Sequence, residues 1–285
     1  MTDIKTAELS QGPIRYRELG EGEPIVFVHG LLVDGRLWDG VAERLAGEHR
    51  CIVPDWPMGS HTAAMKPEAD LSPSGHAENI AELIRSLELE RATIVGNDSG
   101  GAISQILATR HPERIERLVL TNCDMFDRFP PFPFNLMAPV AKFPGGMAML
   151  QAPFKIGAIG RMTYRMLAKE RIDPELIASW LEPARRDPEI ARDTRKLIVS
   201  ANKSYTLEAA ERLEGFERPT LFPWGTDDRF FKLDYAKRLA AVIPGSRVVE
   251  IAGGGTFVPL DRPDQVADAI AALMAERTGH SYVSW

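Results

Sequence analysis

An aspartate held between two glycines is where chemistry concentrates in this sequence. The stretch Ala92-Thr93-Ile94-Val95-Gly96-Asn97-Asp98-Ser99-Gly100-Gly101 joins a short apolar, partly β-branched run, fit for a buried strand, to Ala102, Ile103, Ile106 and Leu107 at helical spacing. The turn between them has the pattern glycine, any residue, nucleophile, any residue, glycine. Small neighbours there let the backbone pack closely while the middle side chain is lifted on a strained turn. The lifted residue is Asp98. A carboxylate with a reference pKa of about 3.9 is already ionised near neutrality, so its attack on an electrophilic carbon requires no base. Sliding the register by one residue would make Ser99 the nucleophile at the loss of the first glycine. A plain strand-to-helix turn remains the alternative unless the rest of a catalytic pattern accompanies it.

The surrounding elements must hold that turn in place. Ile14 to Leu19 alternates like an edge strand, and the continuous apolar run Ile25-Val26-Phe27-Val28 leads directly into His29-Gly30-Leu31. A helix is expected from about Leu37 to Glu48, a strand at Cys51-Ile52-Val53, and a helix from about Ser74 to Leu87 that delivers the chain to the Asp98 strand. Ile115 to Leu120 is another buried strand, ending at Asn122. Strands alternating with helices imply a mainly parallel sheet, with functional residues at the C-terminal ends of the strands. From Met125 to about Leu207 no strand is evident, and prolines and aromatics cluster at Phe129 to Phe134. Helical segments there carry Met147, Met149, Met162 and Met166, whose expected role for most is to fill a core of their own, with an inner face lining a pocket as the sharper reading. The sheet resumes with Pro219 to Trp224 and again with Arg247 to Ile251.

Composition narrows the class. The chain has 285 residues, 44% of them hydrophobic, and a net charge of -6, a balance that argues against a nucleic-acid surface. Its two cysteines, Cys51 and Cys123, provide no disulfide framework and suit a reducing compartment. Met1-Thr2-Asp3-Ile4-Lys5 lacks the start of a signal peptide, and no stretch approaches a membrane span, so a cytoplasmic protein without a membrane partner is expected. No His/Cys cluster has ligand spacing, and Gly253-Gly254-Gly255 is too short for a phosphate loop, so neither a metal nor an organic cofactor is expected. A small-molecule substrate and a monomer or homodimer complete the expectation.

Taken in order, these motifs resemble the α/β-hydrolase fold, and aspartate at the turn with a helical insertion resembles its epoxide hydrolase and haloalkane dehalogenase branch. The resemblance rests on His29-Gly30, Pro54-Asp55, Val95 to Gly101 and Trp224-Gly225-Thr226-Asp227-Asp228. It implies an α/β fold with a mostly parallel central sheet flanked by helices. A core of residues 1–124 and 208–285 would carry a helical cap at 125–207, inserted after the sixth core strand. It further implies backbone N–H donors at Leu31 and Ser99 for an oxyanion, Asp228 as the acid, and support or pocket roles for His29, Gly30, Asn97, Asn122, Trp224 and Phe257. Cap tyrosines that protonate a ring oxygen would be Tyr164 or Tyr205.

The departures carry as much information. In that family a histidine follows the last strand and precedes an aromatic residue, whereas Phe257-Val258-Pro259 is preceded here by Thr256. A threonine hydroxyl has no useful basicity, so attack at Asp98 is possible while deprotonation of water needs another agent. Asp228, relieved of orienting an imidazolium, would hold a water or bond Thr256. Of the six histidines none obviously replaces the missing one, although His61 and His280 could fold over the site. Ser99 stands where dehalogenases commonly carry a halide-holding tryptophan, which weakens that reading. The favoured expectation is a hydrolase of a small apolar substrate acting through Asp98, with Asp228 and Thr256 completing an atypical triad. A lyase, isomerase or cyclase, or a lapsed ligand-binding protein, are the alternatives.

Overall fold

The computed structural model describes residues 3–155 and 157–276. Among these, eight strands form one sheet: β1 (Ile4–Leu9), β2 (Gly12–Leu19), β3 (Glu23–Val28), β4 (His49–Asp55), β5 (Ala92–Asp98), β6 (Ile115–Cys123), β7 (Thr220–Gly225) and β8 (Arg247–Ile251). Their order is β1-β2-β4-β3-β5-β6-β7-β8. Pairings from β4 through β3, β5, β6 and β7 to β8 are parallel, while β1–β2 and β2–β4 are antiparallel. Parallel strands covered on both faces read as unbroken apolar runs. In β3 the alternation of side chains sends Val26 and Val28 into one core and Ile25 and Phe27 into the other, all four fully buried.

The helices are α1 (Asp39–Leu45), α2 (Pro73–Ser86), α3 (Ser99–Arg110), α4 (Met137–Lys142), α5 (Gly146–Gln151), α6 (Gly157–Leu167), α7 (Pro174–Arg186), α8 (Pro188–Ser200), α9 (Lys203–Arg212), α10 (Leu233–Val242), α11 (Val258–Asp261) and α12 (Pro263–Ala275). Residues of α2, α3, α9 and α10 bury against one face of the sheet, those of α1 and α12 against the other. Helix starts follow local chemistry. Ser72 caps α2 by accepting from the Gly75 amide at 3.2 Å, with Pro73 in the first turn where its missing N–H costs nothing. Asp173 and Asp187 cap α7 and α8 in the same way.

Three sequence expectations change. The N-terminal hairpin partner β1 was not foreseen, because only Ala7 and Leu9 of that strand turn inward and Ile4 stays exposed. The expected helix from Leu37 is shorter: a 3₁₀ turn over Gly35–Trp38 leads into α1, which ends at Leu45. The boundary expected at 207 falls inside α9, a continuous helix capped by Asn202, whose Ala209 and Ala210 belong to the sheet's core, so the change of layer comes at about 202.

Candidate active site

β5 lies between β3 and β6, and its last residue is Asp98. There the backbone takes φ 54° and ψ -132°, a region that a non-glycine residue enters only at a cost of about 1–3 kcal/mol. The next residue, Ser99, begins α3. Helix and strand can approach this closely because residue 100 has no side chain: a Cβ on Gly100 would lie 2.3 Å from the carbonyl oxygen of His29. The turn therefore throws the Asp98 side chain up off the sheet, where a carboxyl oxygen occupies the space that a Cβ on Gly30 would need, 2.2 Å away.

Two opposing effects set the charge of Asp98. Burial, reinforced by the nearby Asp228 carboxylate, raises its pKa to about 7, and hydrogen bonds from the Ser99 and Leu31 amides pull the other way. The same two amides expected to serve an oxyanion thus hold this carboxyl in the resting protein. His29 shapes the loop that presents Leu31. Its Nε2 accepts from the Trp56 amide at 2.8 Å and its Nδ1 faces the Gly30 carbonyl at 2.9 Å, while burial lowers its pKa to about 4 and keeps it neutral.

Behind Asp98 lies a knot of polar groups centred on Asp228. Its Oδ1 accepts from the Phe230 amide at 2.7 Å, the Phe231 amide at 3.2 Å and the Thr256 hydroxyl at 3.0 Å. Its Oδ2 accepts from Asn122 Nδ2 at 2.9 Å. The bond between Asp228 and Thr256 is one of the two expected for a chain without the histidine. Asn122 also clamps the end of β7, accepting from the Gly225 amide at 2.6 Å. Asn97 points backward, its Nδ2 donating to Thr121, to the Asn122 carbonyl and, at 2.8 Å, to the Thr256 carbonyl. Because the Asp228 charge is one of the causes that raise Asp98, Asp228→Asn is expected to move the Asp98 titration midpoint below its value of about 7. Carboxyl 13C NMR reads this directly, and an unmoved midpoint would show the two groups to be electrostatically independent.

Above Asp98 opens a cavity of about 290 Å³. Its lining is apolar, drawn from Leu31 and Leu32, from Phe129 to Phe134 and from α4 to α8, and its polar side chains are Asp98, Ser99, Asp124, Thr163 and Tyr164. Two of these are already committed. The Tyr164 hydroxyl donates to the Leu32 carbonyl, and that of Thr163 to Ile159 at 3.1 Å. Tyr205 is a correction to the sequence reading: half-buried on α9, it packs beside Phe129 and Ala201 and does not line the cavity. Trp224 and Phe257 also stay out of the lining. The Trp224 indole donates to the Phe231 carbonyl at 3.0 Å, and Phe257 packs behind Tyr164 and Trp180. Met166 lines the cavity, whereas Met149 and Met162 are 61% and 62% exposed and fill no core.

None of the histidines among the described residues reaches the cavity lining. His61 faces Asp193 on α8 at 3.5 Å, and His280 lies outside the described residues. Residues 23–263 match the family model described as the alpha/beta hydrolase fold. The chain belongs to that family.

Its relatives within the α/β hydrolases differ in chemistry. The 2-hydroxy-6-oxo-6-phenylhexa-2,4-dienoate hydrolase of Comamonas testosteroni is 26% identical over 273 residues, covering 92% of this chain and 91% of that protein. The cis-3-alkyl-4-alkyloxetan-2-one decarboxylase of Shewanella oneidensis is 27% identical over 278 residues, covering 92% and 85%. Among solved structures, the epoxide hydrolase CorEH without ligand superposes with a TM-score of 0.80 at 19% identity, over 96% of this chain and 99% of that one, a likeness of fold. Against this family background one residue stands out that the sequence reading passed over. Asp124 follows β6 directly, is 1% exposed and faces the cavity beside Asp98. The available signal was its place at the C-terminal end of an apolar strand, where this α/β hydrolase gathers its polar groups. Asn122 drew attention to that strand end instead.

Proposed function

We propose that this protein hydrolyses a small, largely apolar substrate through covalent attack by Asp98. The observation that carries the reading is a carboxyl at the floor of an apolar cavity, gripped by the amides of Leu31 and Ser99. Attack of Asp98 on an electrophilic carbon gives an alkyl ester. Water then adds to the carboxyl carbon of that ester, and the oxygen that becomes negative is the one already facing the two amides, where fixed dipoles stabilise charge without reorganising. Asp228 and Thr256 act from behind, by fixing the end of β7 and the loop after β8. The helices at 125–202 serve as the cap whose inner face selects the substrate.

Strained cyclic ethers suit this site better than alkyl halides. A departing halide needs donors that do not transfer a proton, and Ser99 stands where such a tryptophan would be. The resemblance to epoxide hydrolases implies a cap tyrosine as the source of the proton, but the Tyr164 hydroxyl is spent on Leu32 and Tyr205 lies outside the cavity. Accordingly Tyr164→Phe is expected to leave epoxide consumption within about threefold of wild type while lowering stability by about 1 kcal/mol, the usual worth of one such hydrogen bond. A thermal melt beside a product assay checks both halves.

The decisive experiment is intact-protein mass after incubation with panels of epoxides, alkyl halides and activated esters, with Asp98→Asn as control. A mass increase localised to Asp98, with product released into solution, is the expected result. Absence of both adduct and consumption across the panels would remove the nucleophile role and put a ligand-binding or lyase function ahead.

A further inference from the structure

A hydrolase built on Asp98 still lacks a proton carrier, since Thr256 has no basicity and the histidines of the described residues lie outside the cavity lining. The lining itself limits the choice. Thr163 and Tyr164 have donated their hydroxyl protons to backbone carbonyls. Ser99 turns its hydroxyl toward Asp124, which leaves Asp124 as the one side chain of the lining, besides Asp98, with titratable capacity to spare.

The placement of Asp124 is fixed from two sides. The parallel register sets Asp98 against Cys123, and the Asp124 amide donates to the Asp98 carbonyl at 3.4 Å, so the two carboxyls rise from adjacent strand ends into one cavity. Although the residue is 1% exposed, its Oδ1 has no hydrogen-bond partner. A buried carboxyl oxygen without a partner is costly to keep and points to a group whose partner arrives with the substrate.

We propose that Asp124 is the general acid and base of this site, giving its proton to the ring oxygen of a strained cyclic ether as Asp98 opens the ring, then recovering one from the water that clears the ester. The proposal rests on the reading of Asp98 as nucleophile. In the first step the Asp98 carboxylate forms a bond to a ring carbon, the carbon–oxygen bond breaks, and the Asp124 proton passes to the departing oxygen, leaving a hydroxyalkyl ester and an ionised Asp124. In the second, Asp124 takes a proton from water as its oxygen adds to the Asp98 carboxyl carbon. The tetrahedral intermediate collapses, and the alcohol oxygen leaves with the remaining proton of the acid formed at Asp98. The sum is one ether and one water to one diol, with both carboxyls restored.

Electrostatics agree with this order of events. Burial and the charge of Asp98 raise Asp124 well above the usual carboxylate range, so it holds its proton while Asp98 is ionised. Once Asp98 is an uncharged ester that repulsion is gone, which moves Asp124 toward the carboxylate that the second step requires, while burial continues to favour its proton. Asp228 adds a smaller push in the same direction, and the Ser99 hydrogen bond opposes it.

The test compares a terminal aryl epoxide with a primary alkyl bromide of similar size, since bromide leaves without a proton. In Asp124→Asn the bromide should alkylate Asp98 within about threefold of the wild-type rate. Epoxide opening should fall by about 100-fold or more, and the bromide-derived ester should persist at least as many times longer, as expected for loss of general acid–base catalysis. Epoxide opening and ester clearance at wild-type rates would overturn the proposal. So would a parallel loss of bromide alkylation, which would mark Asp124 as a structural support. If neither probe modifies or is consumed by the wild-type protein, the nucleophile reading itself fails, and the proposal with it.

Discussion

Asp98→Asn should abolish covalent capture of every probe and at the same time make the protein more stable at neutral pH. The first effect follows because the amide nitrogen and oxygen of asparagine lack the nucleophilic charge. The second follows from linkage. Asp98 has its ordinary pKa of 3.8 when the chain is unfolded and about 7 when folded, so between those values the folded state must hold a proton that the unfolded state releases. Raising the pH through that window therefore favours unfolding. Asparagine has no such proton, and at about 1.4 kcal/mol for each pK unit the variant gains roughly 2–4 kcal/mol by pH 7.5. The gain should vanish near pH 4. Melts at pH 4, 6 and 7.5 should show a difference that opens with pH and reaches at least about 5 °C. A constant offset across the series would mean that Asp98 titrates in the folded protein as it does in water.

Gly30→Ala is expected to have the next largest effect, through shape alone. The added methyl would stand 2.2 Å from Asp98 Oδ2 and 2.7 Å from its Cγ, distances that no contact allows, so the carboxyl must rotate away from the Leu31 and Ser99 amides. A displacement of about 1 Å at reacting atoms can cost about 100-fold in rate, and alkylation of Asp98 should slow by that order. Forcing an extra carbon into a packed site also costs about 1–3 kcal/mol. Rates from intact mass, measured beside a melt, separate the two. Alkylation at the wild-type rate would mean that the carboxyl does not rest against residue 30 when it reacts.

Much of this arrangement was legible in the residues, for reasons that differ from place to place. The Asp98 turn could be found because close packing of a strand on a helix demands small residues at fixed offsets, which leaves a pattern in any sequence. The parallel sheet announced itself through runs such as Ile25 to Val28, apolar on both faces. β1 did not, since an edge strand with only Ala7 and Leu9 turned inward leaves almost no period to read. Asp124 was missed for a different reason: an acid after a strand is an ordinary surface residue unless the chain returns to cover it, and the segments that line the cavity with it, from Phe129 to Ala201, carry no local sign of that return. The same holds for Tyr164 and Tyr205. Which of them faces the cavity depends on how α6 packs over the cavity and α9 on the sheet, and helical spacing alone does not record it.

The seam that closes the cavity is unequally sewn. On one side α6 to α8 are tied to the core by Tyr164 on Leu32, by the Trp180 indole on Asp34 at 2.9 Å, by Ser60 on the Trp180 carbonyl at 2.7 Å and by the Met65 amide on Asp193 at 2.8 Å. The loop after α6 adds the Lys169 and Glu170 amides, both on Asp261 at 2.8 Å. On the other side Pro130, Pro133, Phe134, Met137 and Leu150 wall the cavity, and α4 and α5 there are bonded to α8 and α7, through Arg195 Nε on the Ala141 carbonyl and Gln151 Nε2 on the Ala184 carbonyl, both at 2.7 Å. Phe132, Leu136, Phe143 and Met149 remain exposed along the same stretch. This side of the cavity is thus walled by an oily surface whose outer residues meet solvent. If Asp98 opens cyclic ethers as proposed, such an apolar wall favours the neutral, hydrocarbon-rich ethers over the diols they become, which wet more readily.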